Sequence, residues 1–138
     1  MEIKIYDYLP DEAKEIRCEV FCKEQGFLDE FDETDEVAAH LVAFNSGTPI
    51  ATCRVFKDEK DTHTVGRVAV VKAWRGKNIG ADILAEAENY IRNNGGKEIS
   101  VSAQKRVEEF YKKQGYTPLG SIYFDEDCPH IKMIKKLF

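Results

Sequence analysis

The run Arg75-Gly76-Lys77-Asn78-Ile79-Gly80-Ala81 is basic and rich in small residues, and it stands between an apolar segment and a helical repeat. The start of a helix presents unpaired backbone N–H groups and a partial positive charge. Small residues let a ligand approach that backbone, and the side chains of Arg75 and Lys77 add full charges. The chemistry on offer is a cradle for a phosphate or pyrophosphate. Neither the dinucleotide fingerprint G-x-G-x-x-G nor the P-loop pattern G-x-x-x-x-G-K-[ST] is present. On its residues alone, the loop fits an ordinary solvated strand–helix turn as well as an anion site.

A second group of residues is acidic. Phe27 to Glu36 carries six carboxylates among three apolar side chains. Most of these charges read as the solvated face of a loop or short helix. Some can line a site for a positively charged amine, and such a group must accept a proton directly or through water. Glu24, Glu30, Asp32 and Asp35 are the residues available for that work. Tyr111 carries a phenol, but taken alone it reads as a packed aromatic. The three histidines are scattered, without metal-ligand spacing.

These residues need elements to position them. Val65 to Val71 is apolar and β-branched and reads as a buried strand. Ile79, Ile83, Ala87 and Ile91 recur at the spacing of one helical face, and Asn94-Gly95-Gly96 is a strong stop. The loop is therefore the joint of a strand–loop–helix unit. Before it, Glu2 to Tyr8 alternates as a strand, and Pro10 starts a helix that Gly26 interrupts. Ala38–Asn45 and Ile50–Phe56 flank a turn at Ser46–Pro49, and Asp58 to Asp61 makes another turn. The second to fourth strands should therefore form an antiparallel meander. Glu98–Ala103 follows a helical crossover and should lie parallel to the fourth strand. A short helix over Gln104–Tyr116 is capped by Gly115. A last hairpin pairs Thr117–Phe124 with Ile131–Lys136 around a loop at Asp125–Pro129.

The chain has 138 residues, 43% of them hydrophobic, which suits a single domain over 1–138 with a real core. No apolar run is long enough for a membrane span, and the charged N-terminal stretch has no signal-peptide core. A cytoplasmic protein is expected. The net charge of −5 disfavours nucleic acid and suits a cationic substrate. Cys18, Cys22, Cys53 and Cys128 show no C-x-x-C spacing and read as free thiols, with no metal site.

The loop Arg75 to Ala81 resembles the (Gln/Arg)-x-x-Gly-x-(Gly/Ala) loop of the GNAT superfamily of acyl-CoA-dependent N-acetyltransferases. Val68-Ala69-Val70 matches that family's preceding strand. Asn78 stands where the family usually has glycine, and Asn tolerates positive φ well. Phe110-Tyr111-x-x-x-Gly115-Tyr116 resembles the second motif, (Leu/Phe)-Tyr-x-x-x-Gly-(Phe/Tyr). Arg17-x-x-Val20-Phe21-x-x-Glu24-Gln25 and the ending Pro129-His130-Ile131-x-Met133 are similar to the small bacterial ElaA/YjcF-type branch. His130 itself reads as a structural or loop residue, with a site histidine as the alternative.

The resemblance covers nearly the whole chain. It implies an α/β fold of α+β type, a mixed, mostly antiparallel sheet of about seven strands flanked by helices. It implies acetyl-CoA as cosubstrate, no metal, and direct attack by a primary amine in a ternary complex. Pyrophosphate would sit on Arg75, Gly76, Lys77, Asn78, Ile79, Gly80 and Ala81. Val68, Ala69 and Val70 would pair with pantetheine, and Gln104 would bond one of its amides. A backbone N–H at Val70 would stabilise the oxyanion, and Tyr111 would protonate the thiolate. The acceptor amine of a small molecule or peptide is expected to meet Glu24, Glu30 and Asp32, a reading of the acidic residues that no family motif carries, and a water chain is the alternative base. A noncatalytic acyl-CoA-binding module and an unrelated phosphate-ligand domain are the alternatives. Dimers are common in the family, so a homodimer stays open.

Overall fold

The computed structural model describes residues 1–58, 60 and 62–137. Seven strands form one sheet in the order β1-β2-β3-β4-β5-β7-β6. β1 (Glu2–Tyr6), β2 (Ala39–Asn45), β3 (Thr48–Lys57) and β4 (His63–Val70) run antiparallel in sequence order. α2 (Ile79–Asn93) then crosses over to β5 (Glu98–Gln104), which pairs parallel with β4. α3 (Glu108–Lys113) leads to the β6 (Thr117–Asp125) and β7 (Cys128–Lys136) hairpin, whose second strand inserts beside β5. The meander, the helical crossover and the parallel pair are those expected. The turn expected at Asp58–Asp61 falls partly on Glu59 and Asp61, which lie outside the described residues. No helix among the described residues is long and apolar enough to cross a membrane.

Each face of the sheet has its own core. α2 lays Ile79, Ile83, Leu84, Ala87 and Ile91 against Leu41, Cys53, Val55, Val65, Ile99 and Val101, with Tyr111, Ile131 and Met133 at the far end. Burial pushes the Cys53 thiol up to about 12, which makes it an inert member of that core. All four cysteines are free. On the opposite face, Ala13, Ile16, Val20 and Phe21 cover Val42, Phe44 and Ala69. That second layer reaches only the β1–β4 half of the sheet. Beyond it, the β5–β7 half keeps polar residues on the same face.

The first helix departs from the expected single element. Pro10 is extended (φ −76°, ψ 157°) and caps α1 (Asp11–Arg17) rather than opening it. α1 then widens into a π-helical turn, Cys18–Glu24. Such insertions re-aim the side chains that follow them, here Phe21 and Gln25. Gly26 (φ +75°) ends the turn, and the Phe27 N–H donates to the Phe21 carbonyl at 2.9 Å.

The last hairpin is also tighter than the sequence suggests. Glu126 (φ +47°) and Asp127 (φ +64°) are both left-handed, so the loop is a two-residue turn and not the stretch Asp125–Pro129. β7 consequently begins at Cys128. Pro129 is tolerated because the β5 pairing starts only at His130, opposite Gln104.

Candidate active site

β4 and β5 stay together for three residue pairs, His63–Ile99, Thr64–Ser100 and Val65–Val101. Past Val65 they separate. The register of β3 with β4 shifts by one residue between Thr52 and Arg54, where β4 carries a bulge with Arg67 at φ +51°. The gap opens a cleft of about 480 Å³ that joins the two faces of the sheet. Gly66, Arg67 and Val68 line one side, Ser102 and Gln104 the other, and Tyr111 and His130 also reach it.

The backbone of β4 faces this gap. The Val71 N–H donates to the Ile50 carbonyl at 3.0 Å, so Ile50 and Val71 are the hydrogen-bonded pair. Antiparallel strands alternate such pairs, so Val70, opposite Ala51, turns its N–H and C=O away from β3 and toward β5. Val68 and Val70 send their side chains to the α2 core, while Ala69 packs under α1.

After β4 the chain makes a short 3₁₀ turn, Lys72–Trp74, and enters the basic loop. Gly76 is at φ +78° and Asn78 at φ +63°, so the left-handed turn expected of Asn78 is present. Asn78 precedes α2 without a side-chain cap, and the first intrahelical bond is from the Asp82 N–H to its carbonyl. The N–H groups of Ile79, Gly80 and Ala81 therefore end the helix with no side-chain acceptor. Lys77 is exposed beside them.

Two residues of this loop sit differently from the sequence reading. Arg75 does not present its guanidinium as a free charge. It donates from Nε to the Val70 carbonyl (2.9 Å) and grips both oxygens of Glu24 (2.9 and 2.8 Å). Gly80 faces the helix–sheet contact: an added Cβ would stand at ordinary contact distance, 3.4 Å from the Phe110 ring and 3.7 Å from Val70.

In the acidic segment Asp29, Asp32, Glu33 and Glu36 are exposed, as expected of most of its charges, but Glu30 and Asp35 are buried, and three arginines from three elements converge there. Arg17, fully buried on α1, donates to Glu30 Oε2 (2.8 Å), the Glu30 carbonyl (3.0 Å) and both oxygens of Asp35 (2.7 and 3.1 Å). Arg54 of β3 holds Asp32 (2.6 Å) and Asp35 (3.0 Å), and Arg67 of the bulge pairs with Glu30 (2.9 Å) and Asp32 (3.3 Å). A 3₁₀ turn, Glu33–Glu36, is closed by a reciprocal capping box of Asp32 and Asp35. Burial raises the Asp35 carboxyl, but Arg17, the Asp32 N–H and Arg54 outweigh it and lower it to about 2. Arg54 likewise holds Asp32 below the ordinary carboxylate range, and Arg75 does so for Glu24. Glu30 and Asp32 do line the cleft, but as guanidinium partners.

Gln104 and Tyr111 are both in the cleft. The Gln104 amide donates to Gln25 Oε1 (2.7 Å) and accepts from Arg106 Nε (2.9 Å), tying the end of β5 to the π-helical turn. Gln25 stands in the branch-like motif that begins at Arg17, but nothing local assigns it a site role, since its partner lies 79 residues away. Glu126, also missed, accepts the N–H groups of Leu28 (2.8 Å) and Asp29 (3.3 Å), so the hairpin tip clasps the acidic segment. Tyr111 meets Phe110 and Tyr116 edge to face (5.1 and 5.7 Å), and burial pushes its phenol up. Behind it, Gly115 (φ +94°) lets the Tyr116 N–H return to the Tyr111 carbonyl at 3.0 Å. The Tyr116 hydroxyl then donates to Glu88 of α2 (2.8 Å), which also holds Lys135 (3.0 Å). The second motif thus fixes the position of Tyr111.

Comparison with known proteins agrees with this geometry. The Acetyltransferase (GNAT) domain family matches residues 7–137. A Bacillus subtilis protein described as an acetyltransferase is 30% identical over 90% of this chain and 87% of its own length. Escherichia coli ElaA is 26% identical over 89% of this chain and 84% of its own, and its crystal structure superposes with a TM-score of 0.86 over 97% and 98% of the two chains. An aminoglycoside 6′-N-acetyltransferase complexed with coenzyme A shares the fold at a TM-score of 0.80 and 16% identity, over 100% and 98% of the chains. The match over almost the whole chain, joined to the parting of β4 from β5 ahead of an uncapped helix, makes this chain an acetyltransferase of the GNAT family.

Proposed function

We propose that the protein, acting as a single domain, transfers an acetyl group from acetyl-CoA directly to a primary amine held in the same cleft. The observation that carries this reading is the Val70 N–H turned into the gap between β4 and β5, one loop ahead of the uncapped N-terminus of α2. These features fit an acyl-CoA, which supplies a thioester carbonyl open to attack by an uncharged amine. Lys77 and the N–H groups of Ile79, Gly80 and Ala81 would hold the pyrophosphate. Val68 and Val70 would pair with the pantetheine arm as an added strand. The Val70 N–H would donate to the oxygen on which charge develops, and the Tyr111 hydroxyl would give its proton to the departing sulfur. Asp29, Asp125 and Glu126 at the other end of the cleft would draw in a cationic acceptor. The free cysteines suit a reducing cytoplasm.

Calorimetric titration with acetyl-CoA tests the reading, with Lys77→Glu as the control. Lys77 is exposed and leaves the core untouched. We expect micromolar binding that weakens about ten-fold or more in the variant, as for an opposed charge at a phosphate. Thiol release with a panel of primary amines follows. Absence of binding at millimolar acetyl-CoA overturns the proposal.

A further inference from the structure

Of the carboxylates that line the cleft, Glu30 is committed to Arg17 and Arg67 and Asp32 to Arg54 and Arg67, Glu126 accepts the Leu28 and Asp29 N–H groups, and Asp29 and Asp125 stand exposed to solvent. A group that takes a proton from an alkylammonium needs a lone pair that no permanent cation already holds. His130 has one. We propose that His130 Nε2 is the base that deprotonates the acceptor amine, an inference that rests on the acetyltransferase reading above.

Three observations carry it. First, His130 Nδ1 lies 2.9 Å from the Cys128 carbonyl oxygen. A carbonyl only accepts, so the neutral ring keeps its proton on Nδ1 and its lone pair on Nε2. Second, the ring is held. It is 7% exposed and stacks on Tyr123 at 5.9 Å and 22°, while the Tyr123 hydroxyl hydrogen-bonds Ser102 Oγ. Third, it stands on the required side. His130 is the cross-strand partner of Gln104 on β5 and of Tyr123 on β6, so the three side chains share one row of the sheet. Its neighbours in sequence, Ile131 and Met133, belong to the α2 core. Side chains alternate along a strand, so His130 takes the face that α1 and the π-helical turn cover. Tyr111 reaches the same cleft from α3, behind the sheet. The base and the acid thus approach the gap from opposite faces, one within reach of the amine and the other of the sulfur.

The step balances simply. Nε2 takes one proton from R–NH₃⁺, giving R–NH₂ and an imidazolium. The amine nitrogen then bonds the acetyl carbon as the carbon–sulfur bond breaks, and the sulfur takes the Tyr111 proton. The new amide nitrogen gives up its second proton through solvent to restore the Tyr111 hydroxyl, and the imidazolium returns its proton to solvent. The ionisable groups around the cleft are Arg67 on β4, Arg106 after β5, Asp29, Glu30 and Asp32 on the acidic segment, Asp125 and Glu126 at the hairpin tip, and Tyr111 on α3. Tyr123 lies on β6 beside the ring.

The test has two readouts. Nitrogen-15 NMR of the wild-type protein should show His130 protonated at Nδ1 and bare at Nε2, and a pH titration of that signal gives its own midpoint. In kinetics with acetyl-CoA and whichever amine of the panel releases thiol fastest, the acidic limb of kcat/KM should follow that midpoint. His130→Gln should lower kcat/KM for the amine about 100-fold and remove the limb. His130→Asn repeats the test if the first variant is unstable. The Kd for acetyl-CoA should stay within about two-fold in both. A proton on Nε2 overturns the inference, as does a variant that keeps its rate and acidic limb. If acetyl-CoA binds but no amine is acetylated, the base falls together with the transfer reading. If acetyl-CoA does not bind, the transfer reading is overturned and the base falls with it, whereas an active protein whose His130 variants keep their rate overturns the base alone.

Discussion

Arg75 and Glu24 face each other through two parallel hydrogen bonds of 2.9 and 2.8 Å, joining the loop ahead of α2 to the end of the π-helical turn. The pair is exposed, so its value for stability is small. Its value lies in what it does to charge near the phosphate cradle, since it cancels one of the two cations of the loop.

Replacing Glu24 with Gln should therefore tighten coenzyme A binding by about two- to five-fold at low salt, with the gain fading as salt is raised. Calorimetry at two ionic strengths measures this. Unchanged affinity would mean that Arg75 stays on the Val70 carbonyl and only braces the loop.

Tyr111→Phe should preserve the edge-to-face contacts with Phe110 and Tyr116 and hence the fold. With the hydroxyl gone, kcat should fall about ten-fold or more while acetyl-CoA affinity holds. Burial raises this phenol, so it remains protonated throughout the working range, and Tyr111 should contribute no basic limb to the pH–rate profile. Undiminished turnover in the variant would assign the proton to water.

Acid should unfold the protein in two stages. Burial lowers the pKa of His40, whose Nε2–H donates to the Asp35 carbonyl at 2.9 Å. Below the ordinary histidine pKa the unfolded chain takes up a proton that the folded chain refuses, so stability begins to fall there. Asp35 lies at about 2 against 3.8 when unfolded, so its contribution of about 2 kcal/mol is intact above 3.8 and is lost as pH drops toward 2. Asp35→Asn leaves Arg17 and Arg54 short of a buried anion and should cost about 3–5 kcal/mol at neutral pH. Urea unfolding of both proteins at several pH values checks the two windows. A variant that loses less than about 1 kcal/mol would show that Glu30 and Asp32 can carry the arginines alone.

The strand–loop–helix unit was legible because its signals are local. Ile79–Asn93 is the helix the apolar spacing gave, Asn78 takes the left-handed turn, and β4 runs parallel to β5 because a helix joins them. The acidic segment was not legible in the same way. Glu30 and Asp35 read as carboxylates available to an amine until Arg17, Arg54 and Arg67 are brought beside them from 13 to 37 residues away. Periodicity carries no information about such pairs. The π-helical turn hid for a related reason, since one added residue per turn leaves the apolar pattern of Ile16, Val20 and Phe21 almost intact. His130 falls between the expected loop, Asp125–Pro129, and the expected strand, Ile131–Lys136, whereas the left-handed Glu126 and Asp127 turn the chain early enough to make it part of β7.

The three-pair union of β4 with β5 has a further consequence for how the molecule breathes. The ladder from β1 to β4 and the ladder of β5, β7 and β6 are each long, and little backbone bonding ties one to the other. Two cooperative units therefore meet at a weak seam, where local opening takes the least free energy. A molecule lodged in that seam adds a strand's worth of bonding across it and couples the opening of one half to the other. Its arrival would turn two semi-independent folding units into one.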